Sequence, residues 1–234
     1  MTHKDIPLNE RIIFALDVGT IEEAEIWVKR LESHIRFFKV GLQLFLGGWF
    51  PVVEMIRSKG HKVMLDLKFY DIPETVRLAV SQLRNRGIAF ATVHGNAPII
   101  KAAVQEKDDV KLLAVTVLTS IGEEEAQAIG FKGEVEDLVL LRAKHAVSLG
   151  CDGIVCSGLE ARRLRAELGD DFCIITPGIR PAGNTADDQK RVMTARQAIA
   201  NGADYIVVGR PIRDAQNPVA VIEGMQEEIR KCLA

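Results

Sequence analysis

Eight times along the 234-residue chain, a short apolar run gives way to an amphipathic or helix-forming stretch. That alternation predicts an α/β protein of the TIM (β/α)8 barrel type, for which this length is close to normal. Most of the runs are β-branched and apolar on both faces, as parallel strands covered by helices require. The first run leads into LDVGTIEEA, which lacks the Gly-rich dinucleotide loop of the competing open, doubly wound sheet.

Taken in order, RIIFALDV (residues 11–18) reads as the first strand, followed by the amphipathic helix IEEAEIWVKRLESH. RFFKVG at 36–41 is a short second strand, with helical sequence across 42–58. HKVMLDLK at 61–68 precedes the helix PETVRLAVSQLRNRG, and IAFATVHG at 88–95 precedes a short helix through IIKAAVQE. VKLLAVTVLT at 110–119 is the fifth strand, with helical material from Glu123 to Leu149. CDGIVCS leads to LEARRLRAEL, and DFCIITPG leads through a loop to the expected helix DDQKRVMTARQAIANG. ADYIVVGR at 203–210 is the eighth strand, closed by a helix expected from Pro211 to the C-terminus. No composition break or long linker divides the chain, so residues 1–234 are expected to form one barrel domain.

Hydrophobic residues make up 47% and charged residues 26%, enough apolar material for a large core. Thirty basic against 32 acidic residues leave a formal charge of -2, which gives no broad nucleic-acid-binding face. Cys151, Cys156, Cys173 and Cys232 form no close metal-type pair, and the first two are expected as small packers on a buried strand. MTHKDIPLNER lacks the apolar segment of a signal peptide, and no later run reaches membrane-spanning length. A reducing, cytoplasmic setting is expected.

Strand periodicity locates a candidate site. Side chains two apart share a face, which groups Ile13, Ala15 and Asp17; Phe37 and Lys39; Met64, Asp66 and Lys68; and Thr92 with His94. In each set a polar group comes last. If that face looks into the barrel, Asp17, Lys39, Asp66 and Lys68 converge at the C-terminal mouth, where barrel active sites lie. Alternating opposite charges can satisfy one another in a partly dry pocket, whereas each one alone could merely begin a solvated loop.

Asp71-Ile-Pro-Glu fits a capping box, with Glu74 reaching back and Pro73 at the second helical position. TPGIRPAGN (176–184) and GRPI (209–212) follow the last two strands, where barrels often bind phosphate. Arg180 and Arg210 could close on such a dianion. Gly178 to Asn184 is the candidate lid.

DLKFYDIPET fits the pattern Asp-x-Lys-x-x-Asp-Ile-Pro-x-Thr, and LDVGT, FKVGLQLF, TPGIRP, ADDQKRV and VVGRPI stand along the chain in the expected order. By these motifs the chain resembles the bacterial-type orotidine 5'-phosphate decarboxylase family over essentially its whole length. The resemblance implies conversion of orotidine 5'-monophosphate to uridine 5'-monophosphate and CO2, with neither metal nor organic cofactor. It also implies a homodimer. Lys39, Asp66, Lys68 and Asp71 would form a charged catalytic network, with Asp71 and Thr75 reaching in from the other subunit. Asp17, assisted by Lys39, would bind the ribose hydroxyls. Gly209, Arg210, Gln189 and Arg180 would contact ligand, the first two at the phosphate. Thr119 and Ser120 are both candidates for the pyrimidine, with Thr119 favoured. VHGNAP departs from the family's usual small-residue loop, which points His94 towards a structural hydrogen bond, and Ala195 stands where many members have proline. Two rivals remain: a related magnesium-dependent sugar-phosphate decarboxylase, from which DIPET departs, and a non-catalytic phosphate-binding barrel.

Overall fold

The computed structural model describes residues 4–128, 130–181 and 192–233. Its eight strands are β1 (Ile12–Ala15), β2 (Phe37–Gly41), β3 (Lys62–Phe69), β4 (Phe90–His94), β5 (Lys111–Val115), β6 (Gly153–Val155), β7 (Cys173–Thr176) and β8 (Tyr205–Val208). All neighbouring pairs are parallel, and β8 pairs with β1 to close the barrel. A one-turn helix, α1 (Leu8–Arg11), precedes β1. Around the barrel follow α2 (Ile21–Leu31), α3 (Leu42–Ser58), α4 (Pro73–Ser81), α5 (Ala97–Val104), α6 (Glu123–Ala128), α7 (Val135–Ser148), α8 (Gly158–Leu168), α9 (Ala195–Ala200), α10 (Arg210–Arg213) and α11 (Pro218–Leu233).

Period-2 alternation divides the core into two clusters. Ile13, Phe37, Met64, Phe90, Leu113, Cys173, Ile175 and Tyr205 fill the barrel interior. Their alternating neighbours, such as Phe14, Phe38, Leu65, Val93, Ile174 and Ile206, pack outward among the helices. Phe37, Phe90 and Tyr205 meet with ring centroids 5.0–5.8 Å apart and plug the interior. The helices obey the same logic at period 3.6. In α2, Ala24, Val28 and Leu31 are buried, Thr20 accepts from the Glu23 N–H, and acidic and basic residues occupy opposite ends.

The N-terminal end of the barrel is held by polar contacts. Buried Asp204 accepts from Arg165 Nη2 (2.6 Å), Lys4 Nζ (2.9 Å) and the Ile174 N–H (2.9 Å), while Arg11 Nη1 donates to the Asp204 carbonyl (3.2 Å). Cys151 and Cys156 are buried packers as expected, but they flank the three-residue β6 instead of lying on it. Burial pushes the Cys151 thiol up to about 12, the nearby Asp152 carboxylate adding to the shift.

Four local expectations need correction. The stretch 123–149 is two helices, because Gly130 and Gly133 take positive φ between them. The last helix is likewise divided, with α10 ending at Arg213 and α11 beginning at Pro218. The helix expected from Asp187 starts at Ala195, where Thr194 and Gln197 form a capping box; Met193 instead bridges Ile179 in extended form. Residues 187–191 lie outside the described residues. Finally, Asp71 does not cap α4. Proline forces its predecessor into extended backbone, so Ile72 (φ -57°, ψ 149°) becomes the N-cap and Pro73 the first helical residue. Asp71 Oδ1 accepts from the adjacent Ile72 N–H at 2.7 Å, and Glu74 accepts from Arg77.

Candidate active site

A cavity of about 290 Å³ opens at the C-terminal ends of the strands. Its apolar surface includes Ala15, Met64, Val115, Val155 and Val207, residues carried by β1, β3, β5, β6 and β8. Asp17, Lys39, Asp66, Lys68, Thr119, Ser120, Arg180, Gly209 and Arg210 also line it. Each was a candidate from the sequence. Inward alternation brings the first four together as expected.

The charges alternate in sign along a continuous chain. Lys39 Nζ donates to Asp17 Oδ1 at 3.2 Å and lies 3.6 Å from Asp66 Oδ2. Lys68 Nζ donates to both Asp66 oxygens at 3.0 Å. Gly41, at the end of β2, makes room for this chain: a Cβ there would sit 3.1 Å from Lys39 Nζ. Burial alone would raise the Asp66 pKa, but Lys39, Lys68 and hydrogen bonds from Lys68 and Thr92 outweigh it and hold the carboxyl below its ordinary range. Asp66 is therefore anionic near neutral pH.

The backbone around this pair departs from a regular strand. β3 and β4 pair at Leu65↔Ala91 and resume at Phe69↔Val93, so β3 carries extra residues in the interval. Lys68 sits within it at φ 50°. Thr92, buried in β4, lies against the irregularity. Its Oγ1 accepts from the Lys68 N–H and donates to Asp66 Oδ1, both at 2.9 Å. Thr92 shares the inward face of Phe90 and His94 in the sequence, but that parity alone does not reveal this double contact.

On the opposite wall, the β7 end supplies Pro177, Gly178 and buried Arg180, whose Nη1 donates to the Ile179 carbonyl at 2.9 Å. Gly209 and Arg210 follow β8 at the start of α10. A Cβ on Gly209 would lie 3.4 Å from Asp17 Oδ2 and from Ala15 Cβ. Two guanidinium groups therefore flank a space whose far side is the Asp–Lys chain, a layout suited to a phosphorylated ligand with its reacting end on the lysines.

Other candidates lie elsewhere. Asp71 and Thr75 are exposed at the start of α4 and do not line this cavity. His94 Nδ1 pairs with Asn96 Oδ1 at 2.9 Å, and its ring packs on Tyr70 with centroids 4.4 Å apart, which is the structural role expected of it. Gln189 and residues 182–184 of the candidate lid lie outside the described residues. Among the described residues, no group of three or more His, Cys, Asp or Glu side chains could hold a metal ion, and no helix is long and apolar enough to cross a membrane.

A closed parallel barrel with an Asp–Lys chain and two arginines at its C-terminal mouth defines the class: a (β/α)8-barrel protein with acid, base and guanidinium groups gathered in one cavity at the usual active-site end. The chain belongs to the orotidine 5'-phosphate decarboxylase / HUMPS family, whose model matches residues 10–225. The orotidine 5'-phosphate decarboxylase of Methylococcus capsulatus is 49% identical over 236 residues, covering 100% of this chain and 98% of that protein. Its counterpart from a Rhodopseudomonas palustris strain is 45% identical, covering 96% of each chain. The crystal structure of orotidine 5'-phosphate decarboxylase from Lactobacillus acidophilus superposes with a TM-score of 0.82 at 36% identity, covering 94% of this chain and 99% of that one.

Proposed function

We propose that this protein is an orotidine 5'-phosphate decarboxylase, converting orotidine 5'-monophosphate to uridine 5'-monophosphate and CO2 in pyrimidine biosynthesis. The observation that carries the reading is the unbroken Asp17–Lys39–Asp66–Lys68 chain facing the arginine-lined side of one cavity. Full-length similarity to enzymes of that name supports it.

Arg210 and the Gly209 backbone take the phosphate, with Arg180 beside them; Gln189 is proposed as a further ligand contact from the family motif. Asp17 and Lys39 bind the ribose hydroxyls. Thr119, buried at the cavity wall, contacts the pyrimidine, with exposed Ser120 next to it. This places C6 near Lys68. When the bond from C6 to its carboxylate breaks, CO2 departs and the electron pair remains on C6 in the ring plane, where the π system cannot absorb it. The Lys68 ammonium stabilises that charge and then gives C6 a proton, which solvent returns. Asp66 holds the ammonium in place, and Lys39 offsets the local negative charge. Preorganised electrostatics is the main contribution, and a carboxylate near the substrate's own carboxylate adds ground-state repulsion.

Asp71 and Thr75 complete the site of a second copy in a homodimer. Their exposure, beside exposed Tyr70 and Ile72, supports an assignment outside their own cavity. The whole chain, residues 1–234, acts as one catalytic domain in the cytoplasm. The decisive test is loss of orotidine 5'-monophosphate absorbance with purified protein in excess EDTA. Turnover is expected without added metal or cofactor. Strict dependence on magnesium, or binding of uridine 5'-monophosphate without consumption of the substrate, would overturn the assignment.

A further inference from the structure

We propose that Thr92 is a positioning residue for the decarboxylation, its hydroxyl fixing both the proton inventory of Asp66 and the backbone from which Lys68 reaches the substrate. The inference rests on the function proposed above and extends its machinery from β3 to β4. It starts from the direction of two hydrogen bonds.

A backbone N–H can only donate, so the Lys68 N–H must use an oxygen lone pair of Thr92. The single hydroxyl hydrogen of Thr92 is then directed to Asp66 Oδ1, 2.9 Å away. That oxygen consequently has to accept. It also accepts from Lys68 Nζ at 3.0 Å, as does Oδ2, and an ammonium can only donate, so both Asp66 oxygens act as acceptors. With the ammonium donating to both Asp66 oxygens, the relay from Lys68 N–H through Thr92 O–H runs in one direction and ends on a carboxylate. Lys68 is held at both ends: its amide by Thr92, and its ammonium by the oxygens that Thr92 orients.

The backbone supplies a second reason. Lys68 occupies a left-handed conformation, uncommon for a residue with a Cβ, inside the interval where β3 and β4 lose register. Such a conformation persists where surrounding contacts over-determine it. Thr92 is fully buried on the adjoining strand, with its hydroxyl at the centre of the irregularity. Valine has nearly the same shape without the hydroxyl, whereas serine keeps the hydroxyl and loses a methyl. The pair therefore separates hydrogen bonding from packing.

The experiment compares wild type, Thr92→Val and Thr92→Ser in full-length protein. A bond to a charged group corresponds to a loss of roughly 10- to 100-fold in kcat for Thr92→Val. Affinity for uridine 5'-monophosphate should stay within about threefold, because its phosphate is gripped across the cavity. Thr92→Ser should recover most of the lost turnover. The acid limb of the kcat–pH profile should move to higher pH in Thr92→Val, since Asp66 loses a donor while facing Lys39 from β2, with Asp17 beyond it, and Lys68 from its own strand. NMR-detected exchange of the Lys68 amide should accelerate by about tenfold or more. That last readout needs no turnover, so it separates failure of this relay from failure of the proposed activity, which wild-type turnover alone decides. Thr92→Val with kcat within about twofold of wild type, equal losses in the valine and serine variants, or an unchanged Lys68 amide would each overturn the assignment.

Discussion

Lys68 combines two unusual constraints in one residue. Its φ of 50° places the backbone where side-chain-bearing residues seldom rest, and its ammonium is bound by both oxygens of a carboxylate that burial alone would tend to neutralise. Neither is needed to close a barrel, and strain of this kind gathers at working sites. On the proposed mechanism Lys68→Ala should reduce kcat by at least about 1,000-fold, since it would remove both charge stabilisation and the proton donor. Binding of uridine 5'-monophosphate, measured by titration, should change by less than about threefold. A variant that loses both equally would place Lys68 in general binding. The inward parity of Asp17, Lys39, Asp66 and Lys68 was readable because side-chain direction follows from strand period alone. The left-handed turn at Lys68 was not readable, because it arises from pairing with β4, which the local string DLKFY does not encode.

Among the elements, β3 carries a second device at its other end. His61, just before the strand, is buried with neither ring nitrogen hydrogen-bonded, and Glu32 Oε2 is 3.9 Å away. Burial and then the Arg36 charge lower its pKa, with Glu32 opposing and Lys59 assisting. The unfolded chain therefore binds a proton at His61 more readily than the native one, and stability must fall as pH drops below the ordinary histidine value of about 6.5. Urea denaturation should show a loss of about 1 kcal/mol between pH 7.5 and 5.5 that is absent in His61→Leu. Equal pH dependence in the two proteins would refute this. The elements also show where sequence reading stops. All eight strands were legible because apolar runs and alternation are local properties. The break between α6 and α7 turned on the backbone of Gly130 and Gly133, in a stretch whose composition still suits a helix. At Asp71 a plausible capping pattern lost to the steric demand of the following Ile72–Pro73 bond.

The whole molecule separates stability from chemistry along the barrel axis. Asp204, Arg165, Lys4 and Arg11 are joined at the N-terminal end, away from the charged mouth. Removing one partner leaves the others buried and unbalanced, so Asp204→Ala should cost about 3–5 kcal/mol in chemical denaturation. The folded fraction should keep its kcat, and a large kcat loss in fully folded variant would contradict this division. The proposed assembly has its own test. Inactive Lys68→Ala and Asp71→Ala proteins, mixed under conditions of verified subunit exchange, should regain about one quarter of wild-type activity, because half the dimers carry one intact site of two. No regain would confine Asp71 to its own subunit.

The pairing of β8 with β1 has a consequence for any such assembly. A cylinder without a rim offers no row of unclaimed amides and carbonyls to a neighbouring chain. Strand addition, a common route by which sheets recruit partners, is therefore closed to this protein. Any copies would have to meet through helices and the tips of loops, and in the proposed dimer the start of α4, with Asp71 and Thr75, would be such a contact, so that docking and completion of the second site would be one event.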